Sequence, residues 1–96
     1  MRVLSQRSLE AFRLTMISGS VSRAADSLRL TQPAVSRLVK ALEIEVGFPL
    51  FERVKGRMIP TYEASLLFEE VQRAYIRLEK LTTIAAEIRS GRRGRL

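Results

Sequence analysis

From Thr61 onward the apolar residues Leu67, Val71, Ala74, Leu78, Leu81, Ala85 and Ile88 recur in alternating steps of four and three. That is a heptad seam sustained over three repeats, and it requires a helix. With Thr61 as its cap and an end near Ser90, the helix is roughly 45 Å long at ~1.5 Å per residue. A body built from the preceding sixty residues is too small to cover it. The seam is therefore expected to meet another chain, with those seven residues as the dimerisation contacts. The chain divides accordingly into a head at 1–60, a linker helix at 61–90 and a tail, GRRGRL, at 91–96. Two glycines and no periodicity make the tail a hinge or a cut end.

The head reads as three short helices and a hairpin. Ser5 can cap a helix carrying Leu9, Phe12 and Met16 on one face, and Gly19 can end it. Ser20 can cap a second helix in which Ala24, Ala25 and Leu28 share a face, and the two small residues invite a close crossing. The connection LRLT, residues 28–31, lacks glycine and proline, so a turn is expected there only from the break in periodicity and from the cap that follows. Thr31 then caps a third helix. Pro33 falls in its first turn, where the N–H that proline lacks would have no intrahelical partner. Val35, Leu38, Val39, Leu42 and Val46 form its buried stripe, and Gln32, Pro33, Ser36, Arg37 and Lys40 lie opposite. After Gly47, two apolar stretches, Leu50-Phe51 and Met58-Ile59, flank a basic segment with Gly56. This predicts a hairpin over 50–59 with Arg53, Lys55 and Arg57 at or near its tip. The expected core is Leu9, Phe12, Met16, Ala24, Ala25, Val35 and Leu38.

Charge and residue choice narrow the function. The chain carries +7, with 17 Lys and Arg against 10 Asp and Glu. Residues 1–60 hold 10 basic and 5 acidic residues, and 61–96 hold 7 and 5, with Arg92, Arg93 and Arg95 at the very end. The head therefore holds most of the field that a polyanion would feel. No cysteine or histidine is present, which removes thiol nucleophiles, thiolate metal sites, the commonest metal ligand and the commonest general base. No metal site and no enzyme are expected. Glu69 and Glu70 are adjacent on a helix, so they diverge by about 100° and cannot share a substrate. No stretch approaches the ~18 apolar residues of a membrane span, and the first residues lack an apolar signal core. The expectation is a soluble, cytoplasmic protein with no membrane partner.

Ala24, Ala25, Leu28, Leu30, Val35 and Leu38 match the apolar template of a helix-turn-helix from about 21 to 40. In that arrangement the second helix offers its outer face to a DNA major groove. Gln32 suits adenine, Arg37 suits guanine, Ser36 serves either, and Pro33 offers contact to a thymine methyl. Lys40, a turn further on, suits phosphate. The helix starts at Ser20 and Thr31 have free N–H groups that can also hold phosphates. Arg53 and Arg57 on the hairpin suit the flanking backbone or a narrow minor groove. The fold class expected is mainly α: a winged helix-turn-helix with a small β-hairpin wing and a long C-terminal dimerisation helix. The competing reading is a basic coiled-coil module that binds polyanions without sequence preference.

Residues 18–61 resemble the DNA-binding domain of LysR-type bacterial transcriptional regulators. The likeness rests on Ala24, Ala25 and Leu28, on TQPAVS at 31–36, on Leu42-Glu43, on Gly47, Leu50, Phe51 and Arg53, and on Thr61 opening the long helix. The resemblance implies a homodimer, commonly assembled into a tetramer. Its antiparallel linker helices present recognition helices to an inverted-repeat operator in double-stranded DNA. It implies DNA-facing roles for Gln32, Pro33, Ser36, Arg37 and Arg53. No cofactor is expected in this fragment, but a small-molecule co-inducer is expected for a larger effector domain after the linker. Pro60 and Ala64-Ser65 depart from the leucine and the Ala-Gly pair of most members. The stretch FERVKGRMIPT resembles the subgroup of lysine-biosynthesis and opine-catabolism regulators, which implies an amino-acid-like effector.

Overall fold

A computed structural model describes residues 3–92. Its elements run α1 (Gln6–Ser18), α2 (Val21–Leu28), α3 (Gln32–Val46), β1 (Phe51–Val54), β2 (Arg57–Pro60) and α4 (Tyr62–Arg89). Every helix opens on a hydroxyl that accepts the N–H three residues on. Ser5 takes that of Ser8 at 3.3 Å, Ser20 that of Arg23 at 3.0 Å, Thr31 that of Ala34 at 3.2 Å and Thr61 that of Ala64 at 3.0 Å. Each such cap contributes about 1 kcal/mol. Pro33 sits in the first turn of α3, as its missing donor requires.

The turn between α2 and α3 is closed without glycine. Arg29 adopts φ 56, in the left-handed region, and its N–H reaches the Asp26 carbonyl at 3.2 Å. The Leu30 N–H returns to the Ala25 carbonyl at 2.9 Å. These bonds satisfy the last carbonyls of α2 and turn the chain into α3. At the wing, Lys55 and Gly56 form a two-residue turn with φ 52 and 76. Positive φ at both positions gives the twist that a tight hairpin favours. The strands pair antiparallel with Phe51 opposite Pro60 and Arg53 opposite Met58. The hairpin thus runs from Phe51 to Pro60. Leu50, expected within it, lies before β1 and is fully buried.

The core forms where α1, α2, α3 and the start of α4 converge. Phe12, Val35, Leu42 and Leu50 are fully buried beside Ala11, Ala24, Ala25, Ala64 and Val71. Each large side chain contributes about 1.5–3 kcal/mol by leaving water. Phe12 touches Phe51 at 6.1 Å and Phe68 at 6.4 Å between ring centroids, joining α1 to the wing base and to α4. The buried face of α1 is rotated from the one expected. It consists of Ser8, Ala11, Phe12 and Thr15, while Leu9 and Met16, like Leu38 of α3, pack only partly buried at the margin. Small residues admit the crossing helices, and Thr15 satisfies its hydroxyl on the Ala11 carbonyl at 2.7 Å.

Where α4 leaves the body, Arg13 donates to Gln72 at 2.7 Å and stacks 4.3 Å from the Tyr75 ring centroid. Burial raises the Tyr75 phenol pKa, Glu10 adds to the rise, and Arg13 opposes it. Beyond that point α4 stands clear, and the molecule measures 60 × 29 × 21 Å. Val71 lies in the domain's own core with Leu67 packed against it. Ala74, Leu78, Leu81, Ala85 and Ile88 of the same seam are exposed.

Candidate nucleic-acid interface

α3 has two unlike faces. Val35, Val39 and Leu42 are buried, while Gln32, Pro33, Ser36, Arg37 and Lys40 are all exposed. The Thr31 cap fixes where the first turn begins, so it decides which residues stand at the helix tip. Arg53 and Arg57, on the two strands of the wing, are exposed as well.

Ser20, Gln32, Ser36, Arg53 and Arg57 line one cleft of about 380 Å³ between the helix-turn-helix and the wing. The start of α2, the face of α3 and both wing arginines therefore border a single concave surface. Ser36, Lys40, Arg53 and Glu43 line an adjoining cleft of about 220 Å³. Arg37 lines neither of these clefts and borders a separate recess with Leu30, Ala34 and Arg7 of α1. The first turns of α3 thus border cations from two other elements, the wing pair in one cleft and Arg7 in the recess. Thr31 is exposed and engaged as a cap, whereas Ser20 is half-buried. Arg92 lies just past α4, while Arg93 and Arg95 fall outside the described residues.

Two residues at this surface were given no role of their own by the sequence. Arg7 belongs to a helix read only for its apolar face. Glu43 accepts the Leu50 N–H at 2.7 Å and the Phe51 N–H at 3.4 Å, and its other oxygen lies 3.9 Å from Lys40 Nζ. No local pattern announces either role. The bonds of Glu43 cross seven and eight residues, through a loop.

Residues 6–65 match the family described as "Bacterial regulatory helix-turn-helix protein, lysR family". The chain belongs to the lysR family. It therefore carries the helix-turn-helix domain of that bacterial regulatory family. Among curated lysR-family relatives it is similar to "Regulatory protein NocR" of Agrobacterium fabrum, 44% identical over 98% of this chain and 31% of that protein. It is also similar to "Transcriptional activator protein LysR" of Escherichia coli, 41% identical over 100% of this chain and 31% of that protein. The chain thus spans under a third of the length of these relatives. Among solved structures, "Crystal Structure of BenM_DBD/catB site 1 DNA Complex" superposes with a TM-score of 0.84 at 27% identity, covering 94% of this chain and 97% of that one. Winged helix-turn-helix and long terminal helix are therefore the lysR-family DNA-binding architecture. Among the described residues, no helix is long and apolar enough to cross a membrane.

Proposed function

We propose that this chain reads a specific double-stranded DNA sequence, with the tip of α3 in the major groove and the wing on the flanking backbone or minor groove. The carrying observation is the division of α3: Val35, Val39 and Leu42 anchor one face while Gln32, Pro33, Ser36 and Arg37 stand exposed on the other. A groove about 12 Å wide admits one helix presented in this way. The chain's likeness to a domain solved on DNA supports the same reading.

In this reading the protein acts as a homodimer on an inverted repeat. The exposed seam of Ala74, Leu78, Leu81, Ala85 and Ile88 supports a helix partner. The charge along α4 supports an antiparallel one. Its first part carries Glu63, Glu69 and Glu70 and no basic residue before Arg73, whereas the remainder holds Arg73, Arg77, Lys80 and Arg89 against Glu79 and Glu87. An antiparallel pair sets acidic against basic halves; a parallel pair would stack like on like. The relatives' greater length supports a further domain for a small-molecule co-inducer, and the subgroup likeness supports an amino-acid-like one. Tetramer formation would depend on that domain, and the regulator would work in the bacterial cytoplasm at the nucleoid.

Binding-site selection from random duplexes tests the proposal. Enrichment of an inverted repeat is expected. Recovery of unenriched sequence at equal affinity would replace the reading with sequence-blind polyanion binding.

A further inference from the structure

Glu43 sits at the far end of α3 from the reading tip, with its side chain only 17% exposed. Its Oε2 accepts the N–H groups of Leu50 and Phe51, the residue before β1 and the first residue within it. The Leu50 carbonyl in turn accepts the N–H of Thr61, the residue after β2, at 3.0 Å. Thr61 Oγ1 donates to the Pro49 carbonyl at 2.8 Å and caps α4. The base of the hairpin is thus fastened to α3 where it starts and to α4 where it ends. Its tip, Lys55 and Gly56, is exposed.

We propose that Glu43 is the positioning residue that sets the wing against the recognition helix, and so decides whether Arg53 and Arg57 reach DNA when α3 lies in the groove. This rests on the DNA-binding reading above. The leverage is geometric. Four strand residues at ~3.3 Å each make an arm of about 13 Å. A tilt of about 15° at its base would carry the tip about 3.5 Å, more than a phosphate hydrogen bond tolerates. One side-chain oxygen held by two backbone donors at the base resists that tilt.

The sign of the effect separates positioning from simple charge. Removing a carboxylate near DNA favours binding by itself, so a loss of wing contacts in Glu43→Ala runs against the charge effect. The measurement is the salt dependence of operator affinity. Changing Arg53 and Arg57 together to Ala is expected to flatten the slope of log K against log salt by about 2. Between 50 and 200 mM salt this narrows the affinity ratio by roughly 10-fold. Glu43→Ala is expected to flatten the slope as the arginine pair does, and to add nothing when combined with it. Discrimination between operator and random duplex at the position read by Arg37 stays as in the parent. Glu43→Gln, which keeps an acceptor oxygen without the charge, retains the parent slope. A folded Glu43→Ala with the parent slope, or with an effect additive to the arginine pair, overturns the proposal. If Glu43→Ala does not fold, Glu43→Asp, one methylene too short to span to Leu50, carries the same two outcomes. A parent slope indifferent to Arg53 and Arg57 overturns the wing's DNA role itself, and this inference with it. Failure at Glu43 alone leaves DNA binding standing.

Discussion

Arg37 and Lys40 are one turn apart on α3 and both exposed, yet they should fail differently when removed. Arg37 stands near the tip with a fork of donors suited to a base edge, and Lys40 stands further back as a point charge. The Lys40–Glu43 pair at 3.9 Å leaves the lysine side chain 77% exposed. A pair so exposed contributes at most about 1 kcal/mol, so a phosphate can draw the ammonium away. Arg37→Ala should reduce discrimination at one base position by ~1–3 kcal/mol, whereas Lys40→Ala should weaken all sequences alike and flatten the salt slope by about 1. Competition titrations of selected against random duplex at several salt concentrations check this; an unchanged ratio for Arg37→Ala would remove the base-reading role. At this scale the caps at Ser5, Ser20, Thr31 and Thr61 were legible because a hydroxyl acts on its own neighbours. The hold of Glu43 on the wing base was not legible, because its partners are brought near only by the folding of the loop at 47–50.

Among the elements, the α2–α3 turn shows why periodicity alone leaves a boundary loose. Left-handed backbone usually announces itself as glycine, and here Arg29 holds φ 56. A non-glycine residue in that region costs about 1–2 kcal/mol, and glycine's extra freedom in the unfolded chain costs about 0.4–1. The strain is the larger effect, so Arg29→Gly should gain up to about 1 kcal/mol. Arg29 is exposed, which limits what its side chain contributes to folding in return. Urea denaturation of the purified protein checks this, and a lower midpoint at unchanged m-value would show that Arg29 makes stabilising contacts that outweigh its backbone strain. The stripe of α3 was legible because Val35, Val39 and Leu42 keep helical spacing with no polar residue among them. The face of α1 was legible only in part, for the opposite reason. Ser8 and Thr15 look like solvent residues in a sequence, but both are buried where neighbouring helices approach. The hairpin was placed to within a residue by Gly56 and the flanking apolar pairs.

For the whole molecule, the long seam divides into a packed part and an exposed part that spacing cannot separate. Leu67 and Val71 face the domain's own body, because the first turns of α4 lie against α1. Leu78, Leu81 and Ile88 remain 49%, 58% and 57% exposed along the part that stands clear. A heptad repeat states that one face is apolar; which surface covers it depends on where the body ends. Three such side chains from each of two copies, each still to lose half its water contact at about 1 kcal/mol, gain about 6 kcal/mol. Close packing of Ala74 and Ala85 and the acidic and basic halves of the paired helices add to that gain, which must also offset the lost freedom of two chains. Changing Leu78 and Leu81 together to Glu sets two carboxylates from each copy into that interface and deletes about two thirds of that apolar gain. The parent should sediment as a dimer at micromolar concentration and the variant as a monomer. Helix content should be retained, because neither leucine supports the domain core. On DNA the variant should lose its preference for an inverted repeat over a single half-site while still discriminating at the base read by Arg37. A parent that sediments as a monomer with its helix intact would separate the two halves of the reading, removing the dimer and leaving α3 as a one-site reader.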